Sequence, residues 1–238
     1  MDSKKLSLLD HLTELRQRII KCLLALLLGF IVSYFFSKDI LEIISQPIKS
    51  YLTATNGSLI FISPFEKFSS YLWVSLCSGF ILSSPFLFYQ VWKFISPGLY
   101  KKEKKWSLLF VTFSTLLFLA GILFVYFIVY PLSFRFLLQF GGENELPYIS
   151  LKPYLSFFLK TAIVFGLIFE APLILFSLLK LNITNVKQLK KARPYVIVFI
   201  AFLSAMITPP DIFSMLFMMA PLYILFEASI WISQNFKA

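Results

Sequence analysis

Six apolar runs separated by charged breaks limit what this chain can fold into. They lie near residues 19–37, 69–95, 106–133, 154–179, 194–208 and 212–232. Crossing about 30 Å of hydrocarbon takes roughly 20 helical residues, a length most of these runs reach or approach. Lipid offers no hydrogen bonds to an open backbone, so a spanning segment must be a helix or a strand of a closed barrel. The alternation with period 2 that marks a barrel strand appears nowhere. The expected fold class is therefore all-α, a polytopic membrane protein with six transmembrane helices. Of the 238 residues, 58% are hydrophobic and 14% charged, which a soluble domain does not tolerate.

Lysine and arginine set the expected orientation. Five lie near the N-terminus, five around the second loop (Lys93 to Lys105), five around the fourth (Lys180 to Arg193), and Lys237 follows. The other side holds Lys38, Lys49, Lys67, Arg135 and Lys152, while Lys160 falls inside the fourth run. Cytoplasmic loops carry the excess of positive charge, so both termini are expected in the cytoplasm. The formal charge of +10 then reflects topology and attraction to anionic membrane lipids, with no nucleic-acid partner implied.

The chain reads as a single transmembrane domain over 1–238, with a cytoplasmic amphipathic segment over 1–18 and a cap loop over 38–68 on the outer face. Within "SLLDHLTELRQRII", residues 7–20, Leu8, Leu12, Leu15 and Ile19 recur at helical spacing, which predicts a helix lying on the inner membrane surface. In the outer loop, helical spacing is broken at Pro47 and "SLIFIS" reads as extended. The fifth run, from Arg193 to Thr208, offers about 22 Å of rise and is short for a span. Prolines 85, 172 and 221 should bend the even-numbered spans.

No phosphate-binding loop, zinc-protease motif or nucleophile elbow occurs, so neither enzyme activity, a cofactor nor a metal is expected. Cys22 and Cys77 read as small apolar filler. The remaining chemistry is carboxylate chemistry. Glu14 has Arg18 four residues on, a favourable helical pair, and Glu103 is the only acid among four lysines of the second loop. Both could instead receive guanidinium groups through bidentate hydrogen bonds. Glu170 interrupts "IVFGLIFEAPLILF", and Ala162, Gly166 and Glu170 share one helix face on which small residues let another helix approach. That face is read either as internal packing or as a docking groove for a partner's membrane helix. Ser75, Gly79 and Ser83 suggest close helix packing on the second span. A proton-coupled secondary transporter of a small solute, with Glu170 as its coupling site, is the alternative to a receptor.

"HLTELRQRI", "FLFYQVWKFISPGLYKKEK", "FGLIFEAP", "KKARPYV" and "TPPDIFS" occur in this order. Together they resemble the TatC family, the six-helix core subunit of the twin-arginine protein translocase. The resemblance implies a receptor for signal peptides with paired arginines. The resemblance further implies export of folded proteins across the cytoplasmic (inner) membrane with the proton-motive force, the single-span partners TatA and often TatB, and further copies of itself. It implies that Glu14 and Glu103 bind the arginine pair, with Leu12, Arg16, Phe94 and Tyr100 shaping that site. Glu170 is similar to the family's intramembrane polar residue, and Pro47 to the proline of its external cap. Thr208 and position 215 fall in the contact zone for single-span partners, where many members carry glutamine and this chain has Met215. A cupped bundle with short fifth and sixth helices is implied as well.

Overall fold

The computed structural model describes residues 8–54, 56–95, 104–138, 146–180, 183–207 and 212–235. The chain runs through α1 (Leu8–Phe35), α2 (Ser37–Ala54), β1 (Ser58–Ile60) and α3 (Pro64–Ile95). α4 (Lys104–Phe124) continues through a π-helical turn (Val125–Val129) into α5 (Tyr130–Leu138). Then come β2 (Tyr148–Ser150), α6 (Leu151–Phe169), α7 (Ala171–Lys180), α8 (Val186–Lys191), α9 (Arg193–Ile207) and α10 (Ile212–Asn235). Among the described residues, each of the six apolar runs coincides with helix. The stretches His11–Phe35, Pro64–Phe94, Leu108–Arg135 and Leu151–Leu179 are long and apolar enough to cross a membrane, and α9 and α10 add shorter apolar helices.

Two local expectations are corrected. The amphipathic segment is no separate surface helix, because α1 runs unbroken over 28 residues. It contains no proline, and its one glycine, Gly29, lies far beyond the amphipathic part. Nor does Pro47 break α2, which passes straight through it. Proline has no N–H to give the carbonyl four residues back, that of Ile43. The Tyr126 hydroxyl donates to that carbonyl at 3.0 Å, and Tyr154 donates to the next one, Ile44, at 2.7 Å. Two tyrosines from the following spans thus supply donors where the proline withholds one.

The extended reading of "SLIFIS" is met by β1. Its partner is β2, some ninety residues on, in a parallel pair with Ser58 opposite Tyr148 and Ile60 opposite Ser150. The π turn was not foreseen. The Tyr130 N–H reaches back five residues to Val125, and Pro131, which cannot continue an α ladder, follows at once.

α1 lies along α3 with the backbones nearly touching. A Cβ on Gly79 would fall 2.6 Å from the Phe30 nitrogen, and one on Gly29 would fall 2.5 Å from the Gly79 oxygen. Ser83 donates across the seam to the Ala25 carbonyl at 2.8 Å. The small-residue reading of the second span therefore holds at Gly79 and Ser83, whereas Ser75 bonds within its own helix to Tyr71. The core sits where α2, the π turn, α5 and α6 meet. Tyr130 stacks edge-on against Phe158 at 4.9 Å and Tyr154 at 5.3 Å, and Ile44, Ile48 and Leu155 close around them.

Candidate functional site

Two sets of polar residues are placed by this frame. The first lies where α1 begins and α3 ends. Arg18 ties the two helices together: its guanidinium donates to the Gln90 and Lys93 carbonyls at 3.4 and 3.3 Å, and to the Gln90 side chain. The same guanidinium forms an ion pair with Glu14 one turn back, Nε and Nη2 both converging on Oε1. Glu14 keeps 32% of its side chain exposed, and among the described residues no hydrogen bond reaches its second oxygen. His11 stacks on Phe94 with ring centroids 4.4 Å apart.

Glu14 and Phe94 are thus brought to one corner through His11 and Arg18, contacts that the sequence alone did not single out beyond the Glu14–Arg18 spacing. Leu12 and Arg16 share a different, exposed face of α1, Leu12 with 59% of its surface open. Glu103 and Tyr100 lie outside the described residues, though Glu103 immediately precedes Lys104, the first residue of α4.

The second set surrounds Glu170, which sits at the break between α6 and α7 and is 5% exposed. The break has a local cause. Pro172 cannot donate back along the helix, and the chain turns at Glu170, whose carbonyl accepts from Leu173 and Ile174 at 3.0 Å each. Ser114 of α4 neighbours the Glu170 carboxyl group and accepts a 2.7 Å bond from the Trp92 indole of α3. Glu170 Oε1 has no hydrogen-bond partner among the described residues. The Trp92–Ser114 pair belongs to this site and carried no spacing signal, since 22 residues separate its members.

The docking reading of Ala162 and Gly166 is corrected. The helix that approaches this face is α4 of the same chain, with a Gly166 Cβ falling 2.6 Å from the Phe118 ring and a Gly121 Cβ 2.8 Å from Gly166. Ala162 is 1% exposed within the core. Small residues do permit the close approach, but the partner is internal. Met215 lies half-buried in the first turn of α10, and Thr208 is outside the described residues. Pro47 is half-buried in α2.

One further acid, missed in the sequence, is Glu66 in the first turn of α3. Its carboxylate accepts from the Ile62 and Lys152 backbone N–H groups, both at 2.8 Å, and from the Ser150 hydroxyl. It thereby joins the loop after β1 to the start of α6. The only sequence cue was an acid just after a helix-opening proline.

Residues 10–221 match the sequence profile described as Sec-independent protein translocase protein (TatC). A Sec-independent protein translocase protein TatC from Carboxydothermus hydrogenoformans is 40% identical over 238 residues, covering 100% of this chain and 96% of its own length. The protein of that name from Aquifex aeolicus is 41% identical, with 95% and 94% covered. That from Escherichia coli is 35% identical, with 95% and 88% covered. A solved structure described as the twin arginine translocase receptor TatC superposes with a TM-score of 0.87 at 38% identity, covering 96% of this chain and 100% of that one. None of these relatives supports the small-solute transporter reading. With the fold, the helix breaks and the whole-length likeness in agreement, this chain belongs to the TatC family of Sec-independent protein translocase proteins.

Proposed function

We propose that this chain is the receptor and core subunit of a twin-arginine translocase. It binds signal peptides carrying an arginine pair at the corner where α1 begins and α3 ends. With TatA, and in some assemblies TatB, it exports folded proteins across the cytoplasmic membrane using the proton-motive force. The orientation that fits places six spans in the bilayer with both termini, the amphipathic 1–18 segment and the Glu103 loop in the cytoplasm. Residues 38–68, including Pro47, then cap the outer face. As a translocase component the chain needs no catalytic step of its own.

The observation that carries this reading is the state of Glu14. One oxygen is held by Arg18, which fixes the carboxylate against α3, while no bond to the other is present among the described residues. An arriving guanidinium can complete that carboxylate without breaking the α1–α3 tie. Glu103 would take the second arginine, and Leu12, Arg16, Phe94 and Tyr100 would border the peptide. Glu170 would position a single-span partner, with Met215 and Thr208 at its edge. An apolar groove of about 300 Å³ between α9 and α10, lined by Ile197, Ile200, Leu216, Met219 and Tyr223, supports docking of a membrane helix there. Further copies of the chain complete the assembly.

Crosslinking of a twin-arginine peptide to the Glu14→Gln and Glu103→Gln variants tests the proposal, with a twin-lysine peptide as control. Each lost charge-assisted pair should weaken binding about tenfold. Undiminished crosslinking in the double variant would remove the assignment.

A further inference from the structure

At the end of the bundle that carries α2, a groove of about 310 Å³ opens between α3 and α6. Lys152, Ser156 and Lys160 line it from α6, spaced by four and hence on one stripe. Ser70 and Trp73 face them from α3. Lys160 lies roughly 13 Å of helical rise into α6, inside the apolar run, where an ammonium group is costly and needs a partner. Side chains lean toward the start of their helix, so a lysine at 160 can reach back along the stripe toward Lys152.

Neither lysine takes part in an ion pair among the described residues. The nearby acid, Glu66, is already engaged by Ile62, Ser150 and the Lys152 backbone. The neighbouring Lys67 ammonium is turned away over the Phe61 ring, 5.5 Å from its centre. Ser70, which lines the same groove, is 2% exposed, and its hydroxyl has no hydrogen-bond partner among the described residues. Two ammonium groups and a buried, unpartnered hydroxyl beside an indole and the apolar wall of Leu155 make a receptacle for an oxyanion with a hydrocarbon attached.

We propose that this groove binds the phosphodiester of an anionic phospholipid from the leaflet at the α2 end, with its acyl chain against Trp73 and Leu155. Inorganic phosphate offers the same oxygens, but it has nothing to set against the apolar wall and does not partition to this depth. The site is independent of the arginine-pair corner, which lies at the opposite end of α3.

The test is native mass spectrometry of the full chain, delipidated in detergent and titrated with phosphatidylglycerol, with phosphatidylcholine for comparison and inorganic phosphate as competitor. The wild type should retain one phosphatidylglycerol in preference to phosphatidylcholine, and inorganic phosphate should not displace it. Lys152→Gln with Lys160→Gln should weaken retention at least about tenfold, as loss of charge-assisted hydrogen bonds requires. Lys160→Arg should preserve retention. Ser70→Ala, which removes a buried hydroxyl and leaves the lysines in place, should weaken retention a few-fold and keeps the test readable if the lysine variants fail to fold. Equal retention by the wild type, the lysine variant and Ser70→Ala, or displacement by inorganic phosphate, would overturn the assignment.

Discussion

Glu66 and Glu170 are buried to nearly the same extent, 7% and 5% exposed, but their surroundings differ in kind. Glu66 has two backbone N–H groups and a serine hydroxyl aimed at it, from segments more than eighty residues apart. Glu170 has Ser114 for a neighbour, itself held by Trp92, and one oxygen without a partner among the described residues. A saturated carboxylate fixes a junction, here between the loop after β1 and the start of α6. An unsaturated one is unfavourable for the isolated chain and leaves bonding capacity for a group from outside. The contrast separates an acid that closes a junction from one with bonding capacity to spare.

The contrast can be broken most directly at Glu66. Replacing it with alanine strands three donors that converge on one carboxylate, so Glu66→Ala should lower the melting temperature in detergent by several degrees and expose the outer loops to protease. A near-wild-type melting curve would show that this junction does not depend on its acid. Next in size is Gly166→Ala, where the added methyl meets the Phe118 ring at 2.6 Å and the overpacking should cost about 1–3 kcal/mol. Thermal unfolding measures it, and no loss would mean that α4 is free to move away.

A smaller effect is expected at Tyr126→Phe, which removes the donor to the Ile43 carbonyl and should cost about 1 kcal/mol. The double variant with Pro47→Ala should recover part of that loss, because alanine restores a backbone N–H for the same carbonyl. Additive losses would show that the tyrosine is not answering the proline. The smallest change in stability belongs to Glu170→Gln. A neutral amide of the same shape is cheaper to bury than a carboxylate with an empty oxygen, so the melting temperature should hold or rise while export of a twin-arginine precursor falls. If instead the protein melts as early as Glu66→Ala, Glu170 is structural and the distinction between the two acids fails.

Much of this was legible in the chain. All six apolar runs are helical over their described residues, because spanning length and the need to pair every backbone group in lipid leave no other local solution. The Glu14–Arg18 pair followed from spacing alone, since four residues place two side chains on one face. Gly79 and Ser83 marked a close seam by their size. The same small-residue logic gave the right geometry and the wrong occupant at Ala162 and Gly166: spacing shows that something approaches, and only coordinates show that it is α4.

What the sequence by itself determined is whatever acts within a few turns of helix: the all-α class, the apolar runs, the break at Pro172 and the acids placed among apolar neighbours. Tertiary structure alone decided which of those acids are satisfied. Two of the three donors to Glu66 lie 84 and 86 residues away, and the Tyr126 hydroxyl that meets the Ile43 carbonyl comes from 83 residues on. Hydrogen bonds are short-ranged and directional, so no periodicity in the chain foretells a partner that folding brings from that far.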